Sequence, residues 1–263
     1  MTHYKKYFTL SFDDGLQQDK EMIELMRKYG IKGTFNLNSG LFGQECYIKY
    51  IGRYGLGCVD KDGRKRGLWK YADADRIPVD EIKQVYEGME LATHGVHHPD
   101  LCALSLEEVH AELLQDKENL QQFTDIPVVG HAFPSGRTSE DVEKALRENG
   151  FLYARGIFSE KAKRNFAFPE NPLHFNPTCW HIEKDIEKLV DRFIAAEPTD
   201  GDMIFYMWGH GYELDFRALK GLRSQYERIF DKIAVHNEIV KCTNAEAFLS
   251  QCYGPKSDEM QQR

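Results

Sequence analysis

The chain has 263 residues, a formal net charge of -8 and 41% hydrophobic residues, enough to bury the core of one large α/β domain. The acidic balance disfavours a nucleic-acid partner. No stretch approaches the ~20 apolar residues of a membrane span, so none is expected.

In chain order, apolar strand-like runs alternate with amphipathic helix-like runs. Strands are expected at 7–12, 33–38, 90–93, 127–133, 151–154 and 203–208. Helices are expected at about 18–29, 79–88, 105–123, 139–149, 185–197, 217–234 and 244–252. Ser105 with Glu108 fits a capping box, and Gly30 and Gly150 follow helices as stops. This alternation predicts an α/β fold with a mainly parallel sheet or barrel.

Residues 43–76 interrupt the pattern with Gly, Tyr and charge in no clear period, and read as an inserted functional loop or lid. Their basic cluster at 61–67 reads as a solvated loop, with anion binding as the alternative. No repeat or linker divides the chain, so 1–254 reads as one domain and 255–263 as a polar tail. Six scattered cysteines form no C-x-x-C pair and read as reduced thiols. No signal-peptide core precedes the first strand. The chain as written is therefore expected in the cytoplasm; trimmed of a leader it would be periplasmic or secreted.

Four motifs fall where strands end: Asp13-Asp14 after 7–12, HGVHH (94–98) after 90–93, FPSG (133–136) after 127–133, and WGHGYE (208–213) around the end of the last strand. A parallel sheet brings all four to one edge, where reactive groups collect in such folds. The adjacent carboxylates Asp13 and Asp14 are costly to bury together and call for a turn, a basic neighbour or a metal. Either His94 with His97 or His94 with His98 has a chelating spacing. Two histidines and one aspartate make the three-ligand open set of a catalytic zinc. The second carboxylate could then take a proton from water. Without a metal, the aspartates would form an Asx-turn or cap the helix near Gln18. His210 lies between glycines that imply close backbone approach or unusual φ, and could donate a proton to a leaving group.

SFDDG, H-x-x-x-H-P-x-L and a late strand ending in histidine, in this order, resemble the NodB-homology polysaccharide deacetylases, also called carbohydrate esterase family 4. The resemblance covers roughly residues 7–213. It implies a distorted (β/α) barrel, expected here to have seven strands, and a divalent metal, most often zinc, with cobalt or nickel as alternatives. It implies removal of N- or O-acetyl groups from a carbohydrate. On this pattern Asp13 is the general base, Asp14, His94 and His98 the metal ligands, and His210 the general acid. The Ser135 N–H stands where the family places an oxyanion donor.

Two departures matter. Ala132 occupies the position at which the family often has an arginine that orients the base, with Arg137 or His131 as conceivable substitutes. The aspartate that should polarise His210 has no match, although HFNPTCWH (174–181) lies in the right region. Trp69, Trp180, Trp208, Tyr212 and Glu213 are candidate substrate contacts. The competing readings are a deacylase of a non-sugar, ureide-like amide on the same scaffold, and a non-catalytic carbohydrate-binding relative.

Overall fold

The computed structural model describes residues 4–51, 54–59, 71–158, 166–216 and 219–252. The elements run β1 (Lys6–Asp13), α1 (Asp19–Lys28), β2 (Thr34–Leu37), β3 (Tyr47–Ile51), β4 (Tyr54–Val59), β5 (Tyr71–Asp73), α2 (Ile82–Val85) and β6 (Glu90–Thr93). They continue with α3 (Leu106–Gln121), β7 (Gly130–Ala132), α4 (Glu140–Glu148), β8 (Tyr153–Arg155), β9 (Cys179–Trp180) and α5 (Ile186–Ala195). β10 (Met203–His210), α6 (Leu222–Ala234), β11 (Ile239–Lys241) and α7 (Asn244–Cys252) complete the order.

The main sheet has the order β8-β7-β6-β2-β1-β10-β9, and every pairing in it is parallel. β11 lies beside the first half of β1, ahead of the point where β2 joins it. Phe175 bridges Arg155 on β8, and the chain then runs directly into β9, which pairs with β10. The segment 175–180 thereby links the two sheet edges and curls the seven strands into a distorted (β/α) barrel.

Strand alternation decides which side chains enter the barrel. Phe8, Leu10 and Phe12 pack outward with Met22 and Ile23 of α1 and Tyr226, Ile229 and Phe230 of α6. Their neighbours in sequence face the other way. Tyr7 packs with Ile204, Tyr206 and Phe248, and the Tyr206 hydroxyl lies 2.9 Å from Ser11 Oγ. Asp13 inherits this interior face at the end of the strand.

The Ser105–Glu108 capping box is present, and α7 spans the expected residues. Two expectations change. The helix expected over 79–88 is only Ile82–Val85, because the chain turns at Gly88, whose φ is 79°. Residues 43–76 are not a structureless loop: they carry an antiparallel sheet of order β4-β3-β5. Ile48, Ala72 and Ala74 pack against Leu16, Tyr212 and Phe216, which seats this insertion on the rim of the barrel. The strands are short and broken by glycine and charge, so they leave no period-two signature. The basic cluster 61–67, Trp69 and the tail 255–263 lie outside the described residues. No helix among the described residues is long and apolar enough to cross a membrane.

Candidate active site

The sheet register assembles the site. Asp13 at the end of β1 stands level with Asn36 on β2 and with His210 on β10. Thr93 at the end of β6 stands level with Leu37 and His131, and Ala132 on β7 with Arg155 on β8. The four motifs therefore meet at one barrel mouth, as a parallel sheet requires.

Asp13 is buried, and its carboxylate accepts hydrogen bonds from the Arg155 guanidinium and, at 2.7 Å, from Asn36 Nδ2. Burial pushes its pKa up. The Arg155 charge and its hydrogen bond, together with His94 and His210, outweigh that, and the group is held well below the usual carboxylate range. Arg155 thus does what Ala132 cannot. It is fully buried, donates to the Gly156 carbonyl at 3.1 Å, and lies over the Trp208 ring, 4.7 Å from its centre. The two substitutes considered from sequence do other work. His131 is buried with its Nδ1 2.8 Å from Thr93 Oγ1, and Arg137 pairs with Asp100 at the surface.

Asp14, His94 and His98 come together, with one ligand atom from each within 4.8 Å of the others. His94 Nδ1 lies 2.8 Å from the Ala132 carbonyl, to which it donates its proton, leaving Nε2 as the lone pair, 4.0 Å from Asp14 Oδ1. Burial lowers the His94 pKa to about 4, so the ring is neutral at physiological pH, the form that ligates. This N₂O set fits a divalent cation with an open coordination position. Asp14 also lies 3.5 Å from Arg76 Nη2. Burial raises its pKa, but Arg76 and the neighbouring histidines pull the net value down.

Backbone shape separates His97 from His98. HGVHH forms no helical turn, because Gly95 has φ 76° and His98 φ 54°. α3 pins the loop instead: Asp116 accepts from the His94 N–H at 3.0 Å and Glu112 from the Val96 N–H at 2.6 Å. His98 turns inward, its ring centre 4.8 Å from that of His94, while His97 is exposed. Asp14 (φ 79°) and Ser135 (φ 57°) also hold left-handed conformations. Such backbone costs roughly 1–3 kcal/mol per residue and concentrates at functional sites.

On the far side, the buried Glu213 carboxylate lies beside His210. Its Oε2 accepts the His210 backbone N–H at 2.8 Å and lies 3.5 Å from the ring Nδ1. The same carboxylate accepts from His181 Nε2 and, at 3.2 Å, from Trp180 Nε1. His181 Nδ1 in turn meets the Tyr226 hydroxyl at 2.5 Å. Burial lowers the His210 pKa, but Glu213 raises it further, with Asp13 and Asp14 adding, to about 9. The glycines flanking His210 do mark close approach: a Cβ on Gly209 would lie 2.2 Å from the His181 ring.

Glu213 is therefore not an exposed substrate contact but a buried brace. Trp208 and Tyr212 are also buried, their faces taken by Arg155 and Trp180 in one case and by His210 and Phe216 in the other. Trp180 is half-buried and keeps some accessible surface, while Ser135 is exposed.

A family profile described as polysaccharide deacetylase matches residues 1–154, more than half of the chain. The chain belongs to the polysaccharide deacetylase family. This family member shares its fold with the D285S mutant of the peptidoglycan deacetylase PdaC from Bacillus subtilis, at 13% identity over 98% of this chain and 96% of that one (TM-score 0.52). It also resembles the Xyl-CE4 domain of a multidomain xylanase from the hindgut metagenome of Trinervitermes trinervoides, at 15% identity over 96% and 94% (TM-score 0.51). The Streptococcus pyogenes deacetylase PplD in complex with acetate matches at 20% identity over 64% of this chain (TM-score 0.46). The chain spans 62% of PplD. No curated protein matches it in sequence.

Proposed function

We propose that this chain is a metal-dependent hydrolase that removes N- or O-acetyl groups from a carbohydrate. The observation that carries the reading is the division of the mouth into three parts. Asp14, His94 and His98 converge in the middle, Asp13 stands beside them on Arg155, and His210 stands opposite on Glu213. Asp14, His94 and His98 would hold a divalent cation, zinc by donor type, which supplies Lewis acidity to the acyl carbonyl and to water.

The chain's own groups account for the proton transfers. Asp13 stays ionised, so it can take a proton from the attacking water. Arg155 and Asn36 fix its orientation. His210 is protonated at neutral pH and donates to the departing amine or alkoxide, with Glu213 stabilising its cationic form. The Ser135 N–H is assigned to the oxyanion of the tetrahedral intermediate. Each acid or base contributes roughly 10²–10⁴-fold. The lack of an arginine at position 132 weakens the carbohydrate reading, and Arg155 beside the base supports it.

The test is acetate release from acetylated chitooligosaccharides, peptidoglycan fragments and acetylated xylan, with chelation and then add-back of zinc, cobalt or nickel. Release that is lost on chelation and restored by a cation supports the proposal. Ammonia or carbamate release from ureides, without acetate from any sugar, would replace it with the non-sugar reading. No release and no cation uptake would favour a binding protein.

A further inference from the structure

Two histidines face the Glu213 carboxylate, and the chemistry assigned above uses only His210. The other, His181, follows β9. Its N–H donates to the Trp208 carbonyl at 2.8 Å, which extends the β9–β10 pairing past Trp180. Its ring is fully buried, stands edge-on to Phe12 with centres 6.0 Å apart, and occupies the space a side chain on Gly209 would need. His181 Nε2 meets Glu213 Oε2 more closely than His210 Nδ1 does, which stands 3.5 Å away.

Which ring carries the positive charge depends on its second nitrogen. An ionised carboxylate only accepts, so His181 Nε2 bears a hydrogen. His181 Nδ1 lies 2.5 Å from the Tyr226 hydroxyl. That hydroxyl sits in the apolar core with Phe12, Ile229 and Phe230, and His181 is its one hydrogen-bond partner among the described residues. Burial, with Glu213 adding, pushes the Tyr226 pKa well above the ordinary range, so the hydroxyl keeps its hydrogen. Were Nδ1 protonated too, the hydroxyl hydrogen would point into hydrocarbon with no acceptor, which is costly. Donated to the Nδ1 lone pair it is satisfied, and the ring is neutral. His210 differs: 17% of its side chain is exposed at the barrel mouth, where a second N–H can reach water or a leaving group. The donation therefore runs one way, from Tyr226 to His181 to Glu213.

We propose that His181 is a positioning residue for the general acid. As a neutral donor it anchors the Glu213 carboxylate beside His210 and leaves the positive charge, with its transferable proton, on His210. The proposal rests on the deacylase reading above, in which His210 donates to the leaving group.

Nitrogen NMR of histidine-labelled, metal-free wild type at neutral pH reads both rings without substrate and without any variant having to fold. His181 should be neutral with its hydrogen on Nε2, and His210 doubly protonated. A doubly protonated His181, a hydrogen on its Nδ1 alone, or a neutral His210 would overturn the proposal. Variants then test the coupling to turnover. His181→Leu removes the anchor, whereas His181→Gln keeps an N–H for the carboxylate. With zinc content matched, turnover at saturating substrate should fall about tenfold or more in His181→Leu and less in His181→Gln, with KM within about twofold in both. Because His181 acts only through Glu213, adding His181→Leu to Glu213→Gln should cost no more than about twofold further. Unchanged turnover in His181→Leu, a loss expressed in KM, or a loss fully additive to that of Glu213→Gln would also overturn it. Failure of the parent reading looks different: wild type releases no acetate from any sugar, while the spectra keep the same two protonation states.

Discussion

Arg155→Met tests the pairing that sequence could not supply. Methionine fills much of the space of the aliphatic stem, so the change removes charge with little cavity. It leaves Asp13, which is 1% exposed, with Asn36 Nδ2 as a hydrogen-bond donor but without the adjacent guanidinium. Breaking a buried ion pair from one side costs about 3–5 kcal/mol. Burial then dominates Asp13 and pushes its pKa up, and a base that holds its proton cannot take one from water. Turnover should fall by roughly 10²–10⁴-fold, as for loss of the base itself. Urea unfolding at neutral pH measures the stability term for Arg155→Met, Asp13→Asn and the double variant. The double variant should be about 2 kcal/mol or more better than additive, because the two changes remove partners of one interaction. The sign with pH is also fixed. Asp13 has a lowered pKa in the folded protein, so the pair stabilises above the ordinary carboxylate range and the contribution fades as pH falls. The gap between wild type and Arg155→Met should therefore narrow on acidification. A cost under about 1 kcal/mol, or additive effects, would refute the role given to Arg155.

The brace on His210 predicts a titration. In metal-free protein the His210 imidazole should titrate near 9 by NMR, and in Glu213→Gln at least about one unit lower, with turnover reduced about 10²-fold. Because the folded value lies above the ordinary 6.5, this interaction stabilises fully below about pH 6.5 and is lost as pH rises through about 9. An unshifted imidazole would remove Glu213 from its role. His98→Ala should abolish retention of zinc after dialysis, whereas His97→Ala should retain it; the reverse pattern would move the third ligand to His97.

The strand ends were legible because a parallel sheet sends them all to one edge. That is enough to group Asp13-Asp14, the HGVHH histidines and His210 from sequence, and the family resemblance selects His94 and His98 among the histidines. Arg155 was not legible, since its meeting with Asp13 spans 142 residues and depends on the register of β8 beside β7. The one available signal was a lone arginine closing the apolar run FLYAR. Glu213 was noticed but misplaced: three residues from His210 it looked like an exposed rim residue, and only the tight turn after β10 folds it underneath. The inserted sheet hid because its strands are short and lack alternation.

The central claim is that the adjacent aspartates divide the work, Asp14 holding the cation and Asp13 moving the proton. Asp13→Asn measures this directly when zinc content and turnover are read on the same preparation. The predicted result is zinc retained as in wild type, with turnover down roughly 10²–10⁴-fold. Near-normal turnover, or loss of the zinc, would contradict the assignment.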